Sequence, residues 1–124
     1  MSYRRYGQFQ TNRRINFMEK KCIYLLVIDY ADCIGRGNSD QTIKAFERQE
    51  TAKALYDTCV KEAKMNDYPE YFDSDGNFKE DEYGDVFVCD EFITAEGESF
   101  SFYEDGWYKT EHYTVYWREL EVLA

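Results

Sequence analysis

The residues with most potential for nucleophilic chemistry are a single histidine and four cysteines. A protein nucleophile is a serine, threonine or cysteine held against a base. His112 is the only histidine and therefore the only candidate base of this kind. It lies at the start of a strand pattern, where a cross-strand or surface role is usual. No Cys-x-x-Cys pair supplies the clustered soft ligands of a zinc site. We therefore predict no catalytic residue and no zinc site.

The cysteines also bear on the cellular compartment. Cys22, Cys33, Cys59 and Cys89 are far apart, and no export signal precedes them. Free cysteines pack as small apolar side chains, whereas disulfides are typical of secreted proteins. We predict four free thiols in a reducing cytoplasm, which would be the host cytoplasm if the chain is encoded by a phage.

The run Asp73-Ser-Asp75-Gly76-Asn77 has the oxygen-rich composition of a calcium loop. An EF-hand loop needs glycine at its sixth position and a bidentate glutamate at its twelfth. Counted from Asp73, those positions hold Phe78 and Gly84, so the pattern fails and a turn explains the run. Glycine-rich phosphate loops of the Gly-x-Gly-x-x-Gly or Gly-x-x-x-x-Gly-Lys type do not occur either. We predict no metal and no cofactor.

The strongest electrostatic feature is residues 67–91, called here the acidic segment, with ten acidic residues and one base, Lys79. Tyrosines and phenylalanines alternate with the acids. Such a run either forms a solvated loop that keeps the protein soluble, or docks in a basic cleft by imitating phosphate spacing. The docking interpretation predicts these partner-binding residues: Asp73, Asp75, Phe78, Glu80, Asp81, Glu82, Tyr83 and Asp85.

Residues 1–20, called here the arm, differ in charge from the rest. Residues 1–21 hold six basic residues and one acidic residue, whereas residues 22–124 hold nine basic and 24 acidic residues. Cations and rings could contact RNA or DNA, or the arm could contact an acidic protein surface. We favour protein contact, because the acidic body would repel a duplex. The predicted arm contacts are Arg4, Arg5, Arg13 and Arg14.

Turn signals and hydrophobic periodicity predict one domain over residues 21–124. Because Met18 lies just before this domain, it is a plausible native start of the chain. An apolar stripe of helical spacing predicts one helix over 49–65, with Ala52, Leu55, Tyr56, Cys59, Val60 and Ala63 on its buried face. The other predicted elements are strands 21–33 and 41–46, a turn over 35–40, a loop over 66–84, strands 85–95 and 98–104 separated by Glu96-Gly97, a tight turn at Asp105-Gly106, and a strand 108–122.

This order, ββαβββ, predicts an α+β domain in which one helix packs on one face of an antiparallel sheet of about five strands. We expect the other face to be rich in Tyr and Phe, and to be covered by the arm or left as a binding surface. The length, 124 residues, suits one domain, and an aromatic content of 19% can fill its core despite a net charge of −10. The longest apolar run, Cys22–Ile28, is far shorter than the roughly 20 residues of a membrane-spanning helix.

In size, acidity, tyrosine content and predicted element order, the chain is similar to the small accessory proteins of phages and mobile elements, which include anti-CRISPR-type inhibitors. That resemblance implies a non-enzymatic acidic module that binds a host protein and occupies its basic nucleic-acid-binding cleft. Two alternatives stay open: a structural or assembly protein, such as a virion component, held in a complex by its arm, and a small enzyme that uses His112 or clustered carboxylates.

Overall fold

The structure, a computed structural model, describes residues 21–32, 38–105 and 111–122. It contains five strands and one long helix: β1 (Lys21–Asp32), β2 (Asn38–Phe46), α1 (Gln49–Glu62), β3 (Phe87–Thr94), β4 (Gly97–Glu104) and β5 (Glu111–Val122). The strands form one antiparallel sheet in the order β2-β1-β5-β4-β3. The predicted α+β class is confirmed: one main helix packs against one five-stranded antiparallel sheet.

Helix α1 begins three residues after the end of β2, and eight of its 14 residues are the strong helix formers Ala, Leu, Glu, Gln and Lys. Glu50 in its first turn and Lys61 in its last turn complement the helix dipole. The chain then winds through a wider, π-helical turn (Ala63–Asp67) and leaves the helical conformation at Tyr68, one residue before Pro69. Proline has no N–H to donate, so the helix cannot extend through it.

The stretch predicted as a loop over 66–84 is more ordered than expected. It contains a 3₁₀ turn (Pro69–Tyr71), an isolated antiparallel bridge between Phe72 and Phe78, and a one-turn helix α2 (Glu80–Tyr83). Its aromatic side chains pack on the sheet, which gives the stretch a fixed path that turn residues alone do not indicate.

Strand pairing corrects several predicted boundaries. β2 extends back to Asn38, so the predicted turn over 35–40 overlaps the strand, while residues 33–37 lie outside the described residues. The turn between β3 and β4 is Ala95–Glu96 rather than Glu96-Gly97, because Gly97 pairs with Thr94. A side chain at Gly97 would come within 2.5 Å of the Trp117 carbonyl oxygen, so that position needs glycine. Gly106 of the predicted tight turn and residues 108–110 of the last predicted strand lie outside the described residues.

The core lies between the sheet and the α-helical layer. Its sheet side consists of alternate residues that face the helix, including the fully buried Phe100, Phe102 and Val115, with Trp117 2% exposed. The prediction about the aromatic residues was wrong: most lie on this face, and the opposite face carries Val27, Ile43, Phe92 and Tyr116. Apart from Tyr56, the buried helical residues are the small Ala52 and Ala63, so large rings from the sheet fill the space between the layers.

The helix stripe is also narrower than predicted. Ala52, Tyr56 and Ala63 are buried, Cys59 and Val60 are half-buried, and Leu55 is 36% exposed. Leu55 therefore lies at the margin of the stripe rather than in the core. None of the helices in the described ranges is long and apolar enough to cross a membrane.

Candidate functional site: the acidic segment and the adjoining cleft

Aromatic side chains fix the acidic segment to the sheet. The ring of Tyr68 lies 4.6 Å from that of Phe102, and Tyr71 lies 4.6 Å from Phe87. Tyr68 and Phe72 are each only 5% exposed. α1 packs over β1, β2 and β5, so these rings cover the part of the sheet, β3 and β4, that the helix leaves free. The carboxylates of the segment consequently project from a backbone that is packed in place.

Two of the predicted partner-binding acids, Asp73 and Asp75, lie in a tight turn of residues 73–77, which is closed by the Phe72–Phe78 bridge. Asp73 Oδ1 accepts hydrogen bonds from the backbone N–H groups of Asp75 (2.8 Å) and Asn77 (2.9 Å). These bonds, led by that from Asn77, lower the pKa of Asp73 and so favour its charged form. Gly76 has a φ of 82°, a conformation that suits glycine.

The other predicted acids follow in and after α2. Glu80, Asp81, Glu82 and Asp85 are exposed. The backbone of Lys79 donates to the Tyr71 carbonyl oxygen at 2.9 Å, which ties the start of α2 to the 3₁₀ turn. Four carboxylates are thus presented within six residues of a short, tethered stretch.

The two predicted aromatic contacts pack within the protein itself. Phe78 is half-buried, with its ring 5.9 Å from that of Phe72 and 6.2 Å from that of Phe102. Tyr83 is also half-buried and lies edge-on to Tyr71 at 4.9 Å. Phe78 packs against the core, whereas Tyr83 packs against Tyr71 within the segment. Replacing either ring would therefore disturb the acids beside it as well as any partner contact.

A cleft of about 540 Å³ opens next to the acidic segment, between α1, the 73–77 turn and β3. Its apolar lining includes Tyr56, Val60 and Phe72, and its mouth is flanked by Met65 and Ile93, which are 61% and 79% exposed. Five carboxylates and two lysines also line it: Asp57, Asp73, Asp75, Glu91, Glu98, Lys61 and Lys64. The cleft is therefore apolar at its base and acidic around it.

Glu98 occupies the wall of the cleft, and its side chain is only 10% exposed. Its Oε2 accepts a hydrogen bond from Lys53 Nζ at 2.5 Å and from the Trp117 indole N–H at 3.1 Å. The bond to Glu98 raises the pKa of Lys53. This pair of donors compensates the one largely buried carboxylate of the cleft.

Lys64 is held on the opposite side of the cleft. Its Nζ lies 3.3 Å from Glu91 Oε2 and about 5.5 Å from the ring centres of Phe72 and Phe100. Its side chain is 16% exposed. Of the ten acids in the acidic segment, Glu91 alone forms an ion pair within the described ranges. The cleft was not predicted, because its walls come from positions far apart in the chain. The sequence carried one local signal near it, the i,i+4 spacing of Lys53 and Asp57, which is typical of an ion pair on a helix.

His112 lies on the sheet face away from α1, where its Nε2 is 2.6 Å from Thr114 Oγ1. Thr114 Oγ1 is in turn 3.1 Å from Ser101 Oγ on the neighbouring strand. These are cross-strand and same-strand contacts, and His112 does not line the cleft.

Burial raises the pKa of the Cys89 thiol to about 12, which disfavours the thiolate.

Arg4, Arg5, Arg13, Arg14 and Cys33 lie outside the described residues. Cys59 and Cys89 are free thiols, and the Cys22 thiol lies 3.7 Å from Glu119 Oε2. Within the described ranges, no group of three or more His, Cys, Asp or Glu side chains could hold a metal ion. Comparison with protein-family models, curated proteins and solved structures gives no match for the chain. The site must therefore be interpreted from its own geometry.

Proposed function

We propose that the protein is a non-enzymatic binding module whose acidic segment docks on the basic surface of another protein in a reducing cytoplasm. The observation that carries the proposal is the anchoring of this segment by Tyr68, Tyr71 and Phe72. Carboxylates on a backbone that is already packed in place lose less conformational freedom on binding than carboxylates on a loose loop.

The partner we propose is a host protein with a nucleic-acid-binding cleft, which this module would occupy and inhibit. Such a cleft presents arginine and lysine side chains to phosphate oxygens. Exposed carboxylates of the acidic segment, such as those of α2, would accept the same charge-assisted hydrogen bonds. Direct binding of nucleic acid by this surface is disfavoured by like charge.

The test compares two triple charge reversals with equal effects on net charge. One variant changes Glu80, Asp81 and Glu82 to Lys, and the control changes Asp40, Glu47 and Glu96, which are also exposed and lie outside the segment. The partner is isolated from lysate on the immobilised full chain and identified, and its association is then measured at low and high salt. We expect the segment variant to associate roughly 10-fold more slowly at low salt and the control less than about 3-fold, because nearby charges steer encounter.

Duplex DNA should compete with the module for the isolated partner if the module occupies a nucleic-acid cleft. Equal association of both triple variants would contradict docking through the acidic segment. A partner that binds undiminished in the presence of DNA, and that belongs to a particle or scaffold, would instead favour the assembly role of the arm.

A further inference from the structure

The cleft beside the acidic segment has the composition of an anchor site for a peptide side chain. Its volume of about 540 Å³ is in the range of ligand pockets, and its base is formed by Tyr56, Val60 and Phe72. Met65 and Ile93 extend this apolar lining to the mouth, where most of each side chain meets solvent. Large exposed apolar side chains that flank a pocket mark an interaction site more strongly than isolated ones.

The charges around the cleft favour a cationic neighbour for that side chain. The two best-buried charges are already compensated, Glu98 by Lys53 and Lys64 by Glu91. Asp73 and Asp75 remain at the rim in the 73–77 turn, and neither forms an ion pair within the described ranges. Hydrogen bonds from the turn keep Asp73 ionised. A positive residue next to the inserted side chain would therefore meet the Asp73 carboxylate, which the turn holds in place, and the carboxylate of Asp75 beside it.

We infer that the cleft binds a peptide segment of the partner in which a large apolar side chain is flanked by arginine or lysine. The apolar side chain fills the space over Tyr56 and Phe72, and the adjacent cation lies against Asp73 and Asp75. This inference rests on the proposed function and adds to it the feature of the partner that the module recognises. It separates a specific anchor from the general attraction of an acidic surface.

The binding test uses the full chain labelled with ¹³C at the methionine methyl groups. The chain has three methionines, and the signal of Met65, assigned with the variant Met65→Leu, reports on the cleft. The probes are three capped tetrapeptides: Gly-Arg-Leu-Arg, the same peptide with Ser for Leu, and the same peptide with Glu for both Arg. The first peptide should shift the Met65 signal in a saturable way, and the glutamate peptide should not shift it. The serine peptide should bind at least about 10-fold more weakly, as expected from the loss of one buried leucine side chain.

Two matched variants locate the binding. Ile93→Ser removes an apolar side chain from the mouth of the cleft, and Ile43→Ser removes one from the opposite edge of the sheet. Both residues are mostly exposed, at 79% and 60%, so both variants should fold. We expect Ile93→Ser to weaken binding of the arginine–leucine peptide about 10-fold and Ile43→Ser to leave it within about 2-fold.

The inference is overturned if the Met65 signal does not respond to the arginine–leucine peptide, if it responds equally to the glutamate peptide, or if the two isoleucine variants behave alike. Glu80, Asp81 and Glu82 do not line the cleft. Their charge reversal therefore tests the proposed function independently, and each of the two experiments can fail without the other.

Discussion

At the scale of single residues, Glu98 in the cleft wall links the helix to the sheet. Its carboxylate connects α1, through Lys53, to β5, through the indole N–H of Trp117. Trp117 is 2% exposed, so its N–H cannot turn to water if Glu98 is lost. Lys53 is 45% exposed and can be solvated again. The hydrogen bond to Trp117 should therefore matter more for stability than the ion pair.

We expect Glu98→Ala to lower the free energy of unfolding by about 1–3 kcal/mol, because it leaves a buried donor without a partner. Glu98→Gln keeps an acceptor for the indole and loses only the charge, so it should cost less than half as much. Urea denaturation followed by circular dichroism measures both values. Lys53→Met is the control for the ion pair, and a loss as large as that of Glu98→Ala would show that the ion pair dominates.

At the scale of elements, those fixed by contacts between neighbouring residues could be predicted from the sequence, and those fixed by contacts between distant residues could not. The helix over 49–65 is confirmed in α1 and the π-helical turn, because apolar spacing within one helix is a local signal. Residues 66–84 were predicted as a loop, since their rings have no regular period. Their order comes from contacts with Phe87 and Phe102 on the strands β3 and β4. The cleft lies between α1, the 73–77 turn and β3, which meet only in the folded protein, so it could not be predicted.

The revised helix stripe gives an expected order of stabilities. Leu55→Ala should cost only about 1 kcal/mol, since the side chain is 36% exposed and leaves little cavity. Tyr56→Ala should cost about 3–5 kcal/mol, the range for truncating a large aromatic side chain in a core, because Tyr56 is only 4% exposed. Chemical denaturation of both variants under one condition measures the difference. Equal losses, or a larger loss for Leu55→Ala, would contradict the orientation of α1 in this fold.

At the scale of the whole molecule, the sequence divides into a basic arm and an acidic remainder. Among the described residues, strand pairing and the core cluster join the five strands and α1 into one packed unit. Residues 1–17 offset part of the negative charge of the rest of the chain. They contain four arginines and no acid, so removing them takes the net charge from −10 to −14. One truncation therefore tests whether the fold needs these residues and whether their arginines offset the acidic remainder.

We expect a chain that lacks residues 1–17 to fold, with far-UV circular dichroism typical of an α+β domain and one cooperative unfolding transition. Because its remaining charge is more strongly negative, self-repulsion should destabilise it relative to the full chain at low ionic strength. Added salt screens such repulsion, since the Debye length falls to about 8 Å at physiological ionic strength. The unfolding midpoint of the truncated chain should therefore rise more steeply with sodium chloride than that of the full chain. An unfolded truncation product would place residues 1–17 within the folding unit, and identical salt dependence in the two chains would mean that the arginines do not offset the acidic body.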